Sequence, residues 1–259
     1  MIEKRLGFIG GGRVTRILLE GFKRKGLAFE KVVVSDINPE ALKLLKERVP
    51  NSEVVLNNNS LPASGDIVFL ALHPPAVLPA LGEIRSALRP QTILVSLAPK
   101  ITLAKISEIL GGFSRIIRMI PNAPSLVNAG YNPVAFGDGI SRPEKDDLMR
   151  LFSALGECPV VKEDALEAYA IVTGMGPTYF WFQWEELVRL GVSFGMKSGE
   201  ARNAVFQMIE GAVKTLFHSN LDPNEVMGLI PVKPLAEEEE RIREVYRSRL
   251  ETLYEKIKS

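Results

Sequence analysis

The chain has 259 residues, 46% hydrophobic and 24% charged, with a formal net charge of +1, an ordinary globular balance with room for a sizeable core. Acidic and basic side chains are interleaved, so there is no basic footprint for a nucleic-acid backbone. Cys158 is the only cysteine, which excludes an internal disulfide framework and a thiolate zinc cluster and suits a reducing compartment.

Taken in chain order, the first element is "LGFIGGGRVTRILLEGF", Leu6 to Phe22: an apolar strand, three glycines, then a helical pattern starting near Arg13. The runs "KVVVSD", "SEVVL", "DIVFLAL", "TILVSL" and "SRIIRM" follow, each separated from the next by apolar residues at helical spacing. Such alternation predicts βαβ units and an α/β fold with a Rossmann-type, mostly parallel sheet. After Lys162 the strand signals stop. "EDALEAYAIVTGMGPTYFWFQWEELVRLGV", "SGEARNAVFQMIEGAVKTLF" and "LAEEEERIREVYRSRLETLYEKIKS" are helical in pattern, with Glu237 to Glu240 placed where negative charge suits a helix start. The reading is therefore two domains: a dinucleotide-binding domain over 1–162 and an all-helical domain over 163–259. No secretory apolar core precedes the first strand. Even "IVFLALHPPAVLPAL" is interrupted by His73 and prolines, short of the roughly 18 apolar residues that span a bilayer. A cytoplasmic protein with no membrane partner is expected.

The glycine turn has a specific physical meaning. A strand ending at Ile9, then Gly10 and Gly12 before a helix, lets a pyrophosphate approach backbone N–H groups at the helix N-terminus. The third position of the G-x-G-x-x-G pattern is Thr15, an imperfect match. Asp36 ends the second strand, where a carboxylate can accept ribose hydroxyls; it can also serve as a local cap, although Asn38 is better placed to cap the next helix. A carboxylate there repels a 2′-phosphate and favours NAD, whereas Arg13 on the first helical turn can pair with that phosphate or lie in solvent. Both NAD and NADP remain open. "ALHPPAV" from Ala71, "SLAPKIT" from Ser96 and "RMIPNAPSLVNAG" from Arg118 follow strands, at the edge where an open α/β sheet binds its ligand. The two histidines, His73 and His218, fall in different predicted domains and have no partners at metal-ligand spacing, so no metal site is expected.

Together with "TGMGPTYFWFQWEELVRLGVSFGM" and "QMIEGAVKTL", these segments resemble the pyrroline-5-carboxylate reductases, a family that reduces a cyclic imine to proline with NAD(P)H. The family's G-x-G-N-M-A stands here as Gly10 to Thr15, its A-V-K-P as Ala71 to Pro74, and its M-P-N-T-P as Ile120 to Pro124. Its S-G-S-G-P-A-Y stands as Thr173 to Tyr179. The resemblance implies cofactor contacts from Gly10, Gly12, Arg13, Val14, Asp36, Asn58, Ala71, His73, Pro74, Ala98 and Asn122, with His73 in the place of the family's lysine. It also implies substrate contacts from Gly174, Met175, Gly176 and Tyr179, and catalytic hydrogen bonds from Thr173 and Thr178. Backbone N–H groups at Gly174 and Gly176 would open a new helix toward a carboxylate. Iminium reduction needs no separate acid–base dyad.

The family's helical domains interlock into dimers. A homodimer here also follows from Tyr179, Phe180, Trp181, Phe182 and Trp184, which cover more faces than one exposed helix can bury. One segment departs from the pattern: where the family has S-P-G-G-T-T, whose amides and threonines hold the imino acid, this chain has "GLIPVKPLAEEEE" from Gly228. Lys233 is a candidate replacement. Weak activity on pyrroline-5-carboxylate is expected, with two alternatives: a reductase of another imine or carbonyl compound, or an NAD(P)-binding sensor or scaffold with reduced catalysis.

Overall fold

The β-branched runs form a seven-stranded sheet in the computed structural model, which describes residues 2–258. β1 (Ile2–Ile9), β2 (Phe29–Asp36), β3 (Glu53–Leu56), β4 (Ile67–Leu70), β5 (Ile93–Ser96) and β6 (Ile116–Met119) are all parallel, in the spatial order β3-β2-β1-β4-β5-β6. After the short β7 (Gly130–Tyr131) comes β8 (Val134–Phe136), which closes the far edge antiparallel to β6. β7 itself pairs with β9 (Gly156–Glu157) in a separate two-stranded ribbon.

The connections are α1 (Arg13–Arg24), α2 (Pro39–Arg48), α3 (Ser60–Ala63), α4 (Pro74–Ile84), α5 (Leu103–Ile109) and α6 (Arg142–Phe152). They cover both faces of the sheet, which is why β4, β5 and β6 are buried at every position and read as mostly apolar rather than alternating. Phe8, Leu18, Phe22, Phe69 and Phe152 belong to one buried layer. Ile9, Leu70, Leu81, Ile84 and Ile106 belong to the other. The rings of Phe8 and Phe69 stack 4.6 Å apart across β1 and β4. Strand order reverses between these two strands, so a crevice opens beyond their C-terminal ends.

The chain divides into two compact units. One runs to Met175 and includes the C-terminal stretch from Leu253; the other is Gly176–Thr252. The first therefore continues beyond the last strand signal, through a 3-10 turn at Glu163–Ala165, α7 (Leu166–Tyr169) and a π-helical turn at Ala170–Gly174. The second holds α8 (Pro177–Ser193), α9 (Ser198–His218), α10 (Pro223–Gly228) and most of α11 (Ala236–Lys258). Val188 of α8 and Ala201 of α9 are buried, and Ala201 packs close to Gly191 of α8. Trp181 remains 47% exposed, Phe206 59% and Phe217 70%: large apolar side chains that this unit leaves uncovered. Glu238 and Glu239, in the first turn of α11, pair with Arg241 and Arg243 one turn on. Among the described residues, no helix is long and apolar enough to cross a membrane.

Candidate functional site

The turn after β1 is held from three sides. Gly10 has φ of +100°, and a Cβ there would lie 2.4 Å from the Ala71 carbonyl oxygen, so only glycine fits between β1 and the end of β4. Its N–H donates to the Ser35 carbonyl at 2.8 Å. Thr15 is fully buried, and its hydroxyl donates to the Gly10 carbonyl at 2.5 Å. The residue that breaks the glycine pattern thus satisfies the turn's own backbone. Asp36 supplies the third hold. Gly11 N–H donates to Asp36 Oδ2 at 2.7 Å and Asn38 N–H to Oδ1 at 2.8 Å. Asn38 caps α2 by accepting from Glu40 N–H at 3.0 Å. Asp36 therefore clamps the glycine turn onto the end of β2.

The start of α1 is open. No atom lies within 4 Å of a Cβ built at Gly12, and no side chain caps the helix. The first N–H groups of a helix have no intrahelical partner. No acidic residue occupies the first turn. Arg13 is exposed, Arg16 has a buried Nε with no partner, and among the described residues neither pairs with a carboxylate. Val14 packs against the core below. Free N–H groups, unpaired guanidinium groups and vacant space at Gly12 fit a phosphate.

The remaining residues expected at the cofactor lie on neighbouring loops. Ala71 N–H donates to the Ile9 carbonyl at 2.8 Å; exposed His73 is the N-cap of α4, and Pro74 is its first residue. Ala98 is buried just beyond β5. Asn58 accepts from Leu61 N–H at 3.4 Å. Asn122 is committed: its Oδ1 accepts from Tyr131 N–H at 3.1 Å and its Nδ2 donates to the Thr173 carbonyl at 3.4 Å. It ties the loop after β6 to the π turn.

A buried ion cluster, which sequence reading missed, supports the same turn. Arg118, in the middle of β6 and 1% exposed, donates to Glu163 Oε1 at 2.9 Å and to Glu167 Oε1 at 2.6 Å. Glu163 also accepts from Leu103 N–H at 2.6 Å, and Glu167 from Lys100 N–H at 3.0 Å. Lys100 has φ of +76°, a strained value for a side-chain-bearing residue. One arginine therefore joins β6, the loop after β5 and α7. The available signal was an arginine inside an otherwise apolar strand, which is rarely buried without partners.

The π turn changes one sequence expectation. Gly174 lies inside it, and Met175 N–H bonds back to the Ala170 carbonyl at 3.0 Å. The new helix begins only at Pro177, so Gly174 is not at a helix N-terminus. It packs closely there: a Cβ at Gly174 would lie 3.2 Å from Ile120 Cγ2. Thr173 donates its hydroxyl proton to the Tyr169 carbonyl at 2.8 Å, leaving its lone pairs as acceptors.

In the second unit, Gly176 is buried as the N-cap of α8 and Thr178 is exposed on its first turn. Half-buried Tyr179 meets Tyr246 of α11 edge to face, with ring centroids 5.9 Å apart. Burial raises the Tyr179 hydroxyl pKa above its ordinary value, and Tyr246 adds to the effect. The stretch between α10 and α11, where the resembled family places its substrate loop, has no regular structure.

Comparison with known proteins falls into the same two parts. A family model described as NADP oxidoreductase coenzyme F420-dependent matches residues 5–100, and one described as pyrroline-5-carboxylate reductase dimerisation matches residues 163–230. The pyrroline-5-carboxylate reductase of Escherichia coli is 26% identical over 88% of this chain and 85% of its own. That of Mycobacterium leprae is 28% identical over 82% and 73%. Among solved structures, a pyrroline-5-carboxylate reductase from Coxiella burnetii superposes with a TM-score of 0.70 at 25% identity, covering 98% of this chain and 94% of the other. A Plasmodium falciparum pyrroline carboxylate reductase with NADP bound shares the fold, with a TM-score of 0.84 at 22% identity over 100% and 98%.

Proposed function

We infer that this chain, a divergent member of the pyrroline-5-carboxylate reductase family, reduces a cyclic imine with NAD(P)H in the manner of proline biosynthesis. The observation that carries the reading is the order of parts on one chain. A turn fitted to a pyrophosphate comes first, and a dimerisation domain entered through Thr173-Gly174-Met175-Gly176-Pro177-Thr178-Tyr179 comes second. Nucleotide binding belongs to residues 1–162, and substrate binding and dimerisation to 163–259.

The N–H groups of Gly12, Arg13 and Val14, with the Arg13 guanidinium, hold the pyrophosphate, and Gly10 keeps the turn close enough for contact. Asp36 and Asn58 take the ribose. Ala71, His73, Pro74, Ala98 and Asn122 shape the loops that receive the nicotinamide, which supplies the hydride when bound. Thr173 accepts a hydrogen bond from a protonated imine nitrogen, because its own proton is already given to Tyr169. Holding that proton on nitrogen keeps the neighbouring carbon electrophilic, and hydride addition then leaves a neutral amine without further proton transfer. Thr178 and Tyr179 orient the ring, alongside the backbone of Met175 and Gly176.

The protein acts as a homodimer, since Trp181, Phe206 and Phe217 stand uncovered in a domain of the dimerising type. A reducing cytoplasm suits its single buried thiol. A second reading, reduction of a different imine or carbonyl compound, is favoured by the altered stretch from Gly228. Oxidation of NADH and NADPH measured against a panel of cyclic imines and carbonyl compounds decides between them. The reading requires turnover of a cyclic imine, pyrroline-5-carboxylate included. Nucleotide binding without turnover of any candidate would leave a sensor or scaffold instead.

A further inference from the structure

Within the helical unit, α8 and α11 enclose a groove of about 660 Å³. Thr178, Tyr179 and Phe182 line it from α8; Tyr246, which meets the Tyr179 ring, lines it from α11 together with Arg241 and Arg249. Arg241 is committed to Glu238 at 2.7 Å, whereas Arg249 has no carboxylate partner among the described residues. No aspartate or glutamate lines the groove.

We propose that Arg249 binds the carboxylate of the substrate, in place of the amide-rich loop that this chain lacks. The proposal rests on reading the site as one for a cyclic imino acid. Three observations carry it. The groove is walled by Thr178 and Tyr179, the part of the substrate motif that belongs to this unit. Its lining is mostly apolar and includes two arginines but no carboxylate, which suits a small ring bearing one negative charge. The stretch from Gly228 to Leu235 contains Pro231 and Pro234, which have no N–H to give a carboxylate. A guanidinium binds a carboxylate through two parallel hydrogen bonds, and an apolar wall strengthens them.

The test compares two rings. For Arg249→Met, kcat/KM on pyrroline-5-carboxylate falls by at least about thirtyfold, while kcat/KM on 1-pyrroline, the same ring without the carboxylate, stays within about twofold. Arg249→Lys restores part of the loss, because it keeps the charge and loses the fork. Equal losses on both rings, or no loss on either, overturn the proposal. Calorimetry with tetrahydro-2-furoic acid, a ring carboxylate that cannot be reduced, separates this from failure of the enzymatic reading. Even if neither imine turns over, Arg249→Met must weaken binding of that probe at least about tenfold. Unchanged affinity, or no binding by the unmodified protein, contradicts a carboxylate site at Arg249.

Discussion

Arg118 Nη2 and Glu167 Oε1 lie 2.6 Å apart in the interior, on β6 and α7, and Glu167 also accepts the N–H of strained Lys100. The pair fixes the loop after β5 to the segment that runs into the π turn and Thr173. Removing the cation leaves two carboxylates without their partner. Arg118→Met should therefore cost roughly 3–5 kcal/mol of stability in urea denaturation. Glu163→Gln should cost less, because that side chain is 30% exposed and water can compensate. An Arg118→Met protein as stable as the original would mean the cluster holds nothing together.

Two glycines of the same turn, Gly10 and Gly12, should behave differently. Gly10→Ala forces a Cβ against the Ala71 carbonyl at a positive φ, so it should lower thermal stability. Gly12→Val meets open space in the protein and should leave stability close to the original, but it fills the place assigned to the pyrophosphate. NADPH titration followed by fluorescence should show affinity reduced at least about tenfold, or 1.4 kcal/mol. A folded Gly12→Val protein with unchanged affinity contradicts the placement of the nucleotide.

Asp36 has two tasks, and its replacement should separate them. Asp36→Ser removes the charge that repels a 2′-phosphate and so should raise the ratio of NADPH to NADH affinity. It also loses the double hold on Gly11 and Asn38, so both absolute affinities should fall. A ratio that does not move would make Asp36 a clamp alone.

Much of this architecture is legible in the residues. The strand runs, the start of α1 after Gly12, the cap at Asn38 and the acidic first turn of α11 each follow from local chemistry that acts within a few residues. What escapes is chemistry between distant segments. Thr15 reads as a flaw in a motif until its hydroxyl is seen on Gly10. Arg118 sits 45 and 49 positions from its two carboxylates. Gly174 reads as a helix breaker, yet it lies inside the π turn and close against Ile120, 54 positions away. Arg249 lines one groove with Thr178 and Tyr179 of another helix, and no periodicity links them.

Acid stability offers an independent check on the sheet edge. Arg115, followed by Ser141, holds the Glu144 carboxyl down at about 2. A carboxylate with a depressed folded pKa stabilises the protein above its unfolded value, and that contribution disappears as pH falls toward the folded one. The side chain is 36% exposed, so the contribution is discounted to about 1 kcal/mol. Glu144→Gln should be less stable than the original by that amount at pH 7 and match it near pH 2. A difference that persists into acid would assign the loss to packing.

The central claim is hydride transfer to a cyclic imine, and isotope transfer reads it directly. The protein is incubated with pyrroline-5-carboxylate and NADPH carrying deuterium at both C4 positions, and the product is analysed by mass spectrometry. The account predicts proline with deuterium on the ring carbon that was the imine carbon, formed slowly because the usual substrate loop is absent. Unlabelled product, or no proline from a protein that still binds NADPH, would contradict it.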